Sequence, residues 1–218
     1  MTRLDDRSVP AFGAFALLVL TGAMMYGLTV GLSVLYASLH DLPVATASGR
    51  IQRDLPILTL IQVCAMGTAL VVGLRMFDPD TPSAEALMLH PVRPLTLAAC
   101  LTAGTCLQFP LTELANVLHH FVFGQDPIEK QLALQNMTEA RTALQGVTVI
   151  GCLVALVPLT EELLFRGLFL FGMERRYGKA FALILSSCFF GIVHFDAVPA
   201  VYATLAGFIL GGLALATR

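Results

Sequence analysis

Five side chains in the last third of the chain have the types and spacing of a reactive site. Glu161 and Glu162 open an E-E-x-x-x-R pattern that closes on Arg166. Phe190 and His194 form an F-x-x-x-H pattern that begins 24 residues after Arg166. The sequence around both patterns reads as membrane span. Charge at membrane depth is costly, so such residues mark a functional site by default. Glu162 and Arg166 are i, i+4 in the order that favours an ion pair on one helix. Glu161 lies about 100° round the axis from Glu162, apart from that pair, with the profile of a general acid or base.

This set suits hydrolysis by an activated water. Glu161 would take the proton from the water, His194 would orient the water or stabilise charge, and Arg166 would neutralise Glu162. Ser187 and Cys188 are read as packing residues rather than nucleophiles. Two other readings of the same residues stand beside this one. One is a gate or proton relay in a small transporter. The other is a structural Glu–Arg lock, with a histidine that hydrogen-bonds a neighbouring helix. No cofactor is expected. A divalent metal on Glu161 and His194 is a minor alternative, because adjacent glutamates on one helix diverge too far to share an ion.

The elements that must position these groups are membrane helices. Of the 218 residues, 56% are hydrophobic and 13% charged, against roughly 25% charged in a soluble domain. Mean hydropathy is +0.78. The net charge of −2 gives no reason to expect nucleic acid as a partner. The fold class is all-α, a polytopic transmembrane helical bundle of about six spans plus short interfacial helices. It is one membrane domain, with N-terminal spans and interfacial segments over 1–141 and a core carrying both motifs over 142–218.

Spans are expected at 10–39, 55–77, 95–123, 142–172, 180–195 and 200–217. The first is too long for a signal-peptide core of about 7–15 residues. A loop is expected at 41–54, a short surface helix at 83–94, an amphipathic segment at 124–141 and a tight charged turn at 174–179. Asp196 and Pro199 are expected to break the fifth span from the sixth. Gly27 with Gly31, and Ala203 with Gly207 and Gly211, have the four-residue spacing of close helix packing. Glu113, Asn116 and His120 share a face of the third span. They either line a polar cavity or mark where that helix reaches the interface. Cys64, Cys100, Cys106, Cys152 and Cys188 are read as small buried hydrophobes.

With the N-terminus in the cytoplasm, the inside segments hold Arg3, Arg7, Arg75, Arg93, Arg175, Arg176 and Lys179. The outside segments hold Arg50, Arg53, Lys130 and Arg141. This bias favours that orientation. From the turn near Tyr177, Glu161 then lies roughly 18 Å and His194 roughly 22 Å into the bilayer at 1.5 Å per residue. Matched depth lets the two motifs of a helical hairpin meet. On the fifth span Ser187, Gly191 and His194 share a face small enough for another helix to approach.

The two motifs resemble those of the CPBP family, the CAAX proteases and bacteriocin-processing enzymes, also called the Abi family of intramembrane glutamate proteases. The likeness rests on Pro158, on Thr160 through Gly167 and on Phe189 through His194, and covers about 40 residues. It implies a multi-helix membrane endopeptidase in which Glu161 activates water. Glu162 and Arg166 would support Glu161, His194 would assist, and Phe190 would shape the pocket. It implies membrane lipid as surroundings and a membrane-associated protein or peptide, prenylated or not, as substrate. The expected location is a prokaryotic plasma membrane, and the sequence carries no sign of oligomeric state.

A non-catalytic bacteriocin-immunity or scaffold protein on the same fold is the alternative. The family carries a further H-x-x-x-N motif on a later span. The histidines here are His40, His90, His119, His120 and His194, and none follows His194. His119 and His120 precede the motifs and do not fit the order. The expectation is therefore a C-terminally truncated copy. Loss of an oxyanion donor would cost it about two to three orders of magnitude in rate.

Overall fold

The computed structural model describes residues 8–80, 82–87, 94–123, 132 and 135–217. Among them every regular element is helical and none is a strand. Arg3, Arg7, His90, Arg93 and Lys130 lie outside the described residues, as does most of the expected 124–141 segment.

Helix α1, Ala11–His40, follows Pro10, whose carbonyl accepts from Ala14 N at 2.9 Å. Its hydroxyls bond back to the preceding turn: Thr21 to Leu17 O, Thr29 to Met25 O, Ser33 to Thr29 O and Ser38 to Val34 O, at 2.7–2.9 Å. Polar side chains can thus sit in an apolar helix without leaving a donor unpaired. The helix ends on Asp41 at φ 51, with Leu42 N bonded to Ala37 O at 3.0 Å. That is the six-to-one closure in which a glycine is more usual.

The stretch expected as a loop at 41–54 contains a helix, α2, Val44–Ile51. Pro43 and Gly49 suggested a loop, but Pro43 only precedes the helix, where its missing N–H costs nothing. Ala47 and Ile51, one turn apart, are its buried face. Helix α3, Leu55–Phe77, starts at an N-cap: Asp54 Oδ1 accepts from Ile57 N at 3.1 Å. Ala65, Ala69 and Gly73 form a buried small-residue stripe along α3.

The surface helix expected at 83–94 is only four residues in the described part, α4, Ser83–Ala86. Helix α5, Pro94–Leu118, holds Pro110 inside and continues as a π-helical end, His119–Phe123. Helix α6 is the continuous run Ala143–Tyr177. It opens on a reciprocal capping box between Thr142 and Gln145. At its other end Gly178, at φ 82, makes the turn directly into α7, Lys179–Ile192. A left-handed residue between two helices is a position for glycine. Helix α8 is Ala197–Thr217. Pro199 lies within its first turn rather than breaking the chain, because those N–H groups have no helical partner in any case.

By length and composition α1, α3, α6 and α8 can each cross a membrane. Helix α7 is apolar but has 14 residues, roughly 21 Å against a hydrocarbon core of about 30 Å. The six expected spans thus correspond to four full-length ones, the 25-residue α5 and a short α7. An all-α multi-pass membrane protein stands.

The chain divides into two compact units. The first comprises Met1–Ala14, Leu74–Asp126 and Phe165–Arg218; the second comprises Phe15–Gly73 and Pro127–Leu164. Within the first, α7 packs along α8 through small residues. A Cβ on Gly207 would lie 3.0 Å from Ser187 Cα, and one on Gly211 would lie 2.7 Å from Leu183 Cδ1. Ala203, Gly207 and Gly211 are all buried, as the spacing required. The Gly27 and Gly31 pair does otherwise: nothing lies within 4 Å of a Cβ at either. Those two glycines admit close approach but do not by themselves recruit a helix.

The lower half of α6 is also held in the first unit. Val9 N donates to Gly172 O at 3.1 Å, and Gly167 and Gly172 leave room for Leu87 and Val9. Arg175 reaches buried Asp78 at 3.1 Å and the Ala86 carbonyl at 3.4 Å. Two of the cysteines read as buried, Cys64 and Cys106, are exposed on their helices, while Cys152 is buried. Apolar character on a membrane helix does not choose between core and lipid.

Candidate active site

Pro158 governs the backbone around the glutamates. It has no N–H to give to the preceding turn, and its ring crowds the carbonyl four residues back. The helix widens there. Gly151–Leu156 is π-helical, Val157–Glu162 is α-helical, and Leu163–Leu170 is π-helical again. Glu161 and Glu162 therefore end a six-residue α segment set between two wide turns. Such π turns are rare and are frequent at functional sites.

A wide turn pairs its carbonyls less well, and the one at Phe165 is met from outside. Ser186 Oγ donates to Phe165 O at 2.8 Å in a buried position. Ser186→Ala is expected to cost about 1–3 kcal/mol, the range for orphaning a buried acceptor. Reversible unfolding in detergent micelles would measure it.

Arg166, Phe190 and His194 lie together in the first unit. Arg166 is buried, and its guanidinium carbon sits 4.3 Å from the centroid of the Phe190 ring. Phe190 is edge-on to Phe165 at 5.2 Å and to His194 at 5.3 Å. Phe165 in turn meets Phe169 edge-on at 5.5 Å. Phe190 is thus the face on which a buried cation rests, a role its spacing did not reveal. Arg166→Lys keeps the charge but loses the planar stack. It is expected to cost about 1–2 kcal/mol, as is Phe190→Leu, with the double variant costing no more than either alone.

His194 is not on the regular part of α7, which ends at Ile192. It lies in the closing turn, where His194 N bonds to Gly191 O at 3.1 Å and Phe195 N to Ile192 O at 3.2 Å. Phe195, at φ 54, reverses the chain. A bulky residue in that region is a strained one. The imidazole folds back on its own helix, with Nδ1 2.8 Å from Phe190 O. A carbonyl oxygen only accepts, so Nδ1 carries the proton.

Glu161 and Glu162 belong to the second unit. There Gln62, on α3, donates from Nε2 to Glu161 Oε1 at 3.0 Å. The same amide nitrogen lies 3.8 Å from Met66 Sδ, one turn further along. Gln62 escaped the sequence reading. Its signal was present as a single amide in the apolar run 55–74, and polar side chains in such a run tend to bond another helix.

Ser187 is buried against Gly207, as a packing residue would be. Glu113, Asn116 and His120 are all exposed, the last of them in the π-helical end of α5. Among the described residues no three His, Cys, Asp or Glu side chains group as metal ligands do.

Residues 143–218 match the family model described as Rce1-like, type II CAAX prenyl endopeptidase Rce1-like. The matched segment starts where α6 starts and contains both motifs. No curated protein and no solved structure matches the chain.

Proposed function

We propose, from the match of residues 143–218 to the Rce1-like CAAX prenyl endopeptidase model and from the likeness of both motifs to the CPBP family, that this chain is an intramembrane endopeptidase. Its substrate is a membrane-associated, prenylated protein or peptide, cut near its C-terminus. The observation that carries the reading is the family match over the segment holding both motifs. Glu161 takes a proton from water while the water oxygen bonds to the scissile carbonyl carbon. The carbon–nitrogen bond then breaks, and the proton passes to the leaving amine. His194 assists, orienting the water or stabilising charge. Arg166 balances the charge of Glu162. No cofactor is needed for these steps. The N-terminus lies in the cytoplasm.

The test uses the full chain in proteoliposomes. The probe is a peptide ending in S-farnesylcysteine and three further residues. Release of the intact tripeptide supports the reading. Retention of the whole peptide, with substrate flux across the same vesicles, would replace it with the transporter reading.

A further inference from the structure

Helix α3 lies outside both motifs, yet it supplies a hydrogen bond to Glu161. The Gln62 amide donates to Oε1 at 3.0 Å, across 99 positions of sequence and within one compact unit. We propose that Gln62 is the positioning residue of the Glu161 carboxylate, a role that rests on Glu161 being the base assigned above.

Three observations carry it. The first is chemical. An amide N–H on a carboxylate oxygen is a charge-assisted bond, and such bonds are among the stronger ones in a low-dielectric setting. The second is local geometry. Glu161 sits one residue before the end of an α segment, with π-helical turns on both sides. A long, unbranched side chain there has many rotamers, and a bond from a separate helix selects among them. The third is the anchoring of Gln62 itself. Its neighbours on the same face of α3, Thr59 and Met66, are buried, so the amide projects from a packed face. A general base must hold its oxygen within hydrogen-bond reach of the proton that it abstracts. Fixing one carboxylate oxygen fixes the direction of the other.

The alternative is that the bond is only structural, a polar link between two membrane helices. The two roles differ in what they change. A structural link alters stability and leaves turnover per folded molecule unchanged. A positioning bond alters kcat with little change in KM.

The experiment uses three variants of the full chain in proteoliposomes with the S-farnesylated peptide. They are Gln62→Met, close in shape but without a donor, Gln62→His, which keeps an N–H at similar reach, and Glu161→Ala. Gln62→Met is expected to lower kcat roughly 10–100-fold with KM within about twofold, from the size of one hydrogen bond to a charged group. Gln62→His should recover part of that loss. In detergent, Gln62→Met should lower Tm in the wild-type background and leave it unchanged in the Glu161→Ala background. Unchanged kcat, or Tm losses that simply add, would overturn the proposal. A wild-type chain that leaves the peptide intact, with the Tm coupling still present, overturns the proteolytic reading and with it a role for Gln62 in turnover.

Discussion

Glu161→Gln is expected to lower peptide cleavage by roughly 10²–10⁴-fold, the usual contribution of a positioned general base. The substitution is chosen because it changes little else. The side chain keeps its length, and its amide oxygen can still accept from Gln62, which now donates at 3.0 Å. What is lost is the ability to take a proton from water. KM should therefore stay near the wild-type value while kcat falls, the pattern of a group that acts in the transition state alone. Glu162→Gln is the internal control. Glu162 shares a helix with buried Arg166 four residues on, so its loss is felt as a change in charge balance rather than as the loss of the base. Its effect should be smaller on kcat and larger on stability. Cleavage by Glu161→Gln at the wild-type rate, with tripeptide release intact, would remove Glu161 from the mechanism.

Much of the architecture could be read from pattern alone, because a membrane imposes few solutions. Long apolar runs had to become helices, since a bilayer offers backbone groups no other partner. The span at 55–77 and the turn at 174–179 were visible as changes between apolar and polar sequence, and the structure puts the Asp54 cap and the Gly178 turn at those changes. What pattern could not reach were effects of neighbours in space. The helix at Val44–Ile51 depends on burying Ala47 and Ile51, and nothing local outweighs Pro43 and Gly49. The π turn before Glu161 follows from Pro158, which was visible, but whether a proline kinks or widens a helix depends on what packs beside it. The perch of Arg166 on Phe190 and the bond from Gln62 to Glu161 are contacts between separate parts of the sequence. Periodicity along one helix cannot show them. The same limit explains the glycines. Gly27 with Gly31 and Gly207 with Gly211 have identical spacing, yet only the second pair meets another helix.

That contrast gives the other large expected effect, at Gly191. A Cβ there would lie 2.6 Å from the Ala200 carbonyl oxygen and closer still to Thr204 Oγ1. The hydroxyl could turn aside only by giving up its own 2.8 Å bond to Ala200 O. The carbonyl belongs to the backbone of α8 and can move only if the helix does. Gly191→Ala therefore pushes α7 and α8 apart along a seam that Ser187–Gly207 and Leu183–Gly211 also close. Overpacking of this kind costs about 1–3 kcal/mol, and a clash with backbone belongs at the upper end. Gly27→Ala and Gly31→Ala, where a Cβ meets open space, should be neutral or gain up to about 1 kcal/mol from helix propensity. Unfolding of the three variants in the same detergent reads the difference directly. Function should fall as well, because Gly191 O holds the amide of His194 at 3.1 Å and Phe190 O holds its ring at 2.8 Å. A displacement of about 1 Å at a reacting group can cost on the order of 100-fold in rate. A Gly191→Ala chain as stable and as active as wild type would mean that the α7–α8 seam does not hold His194 in place.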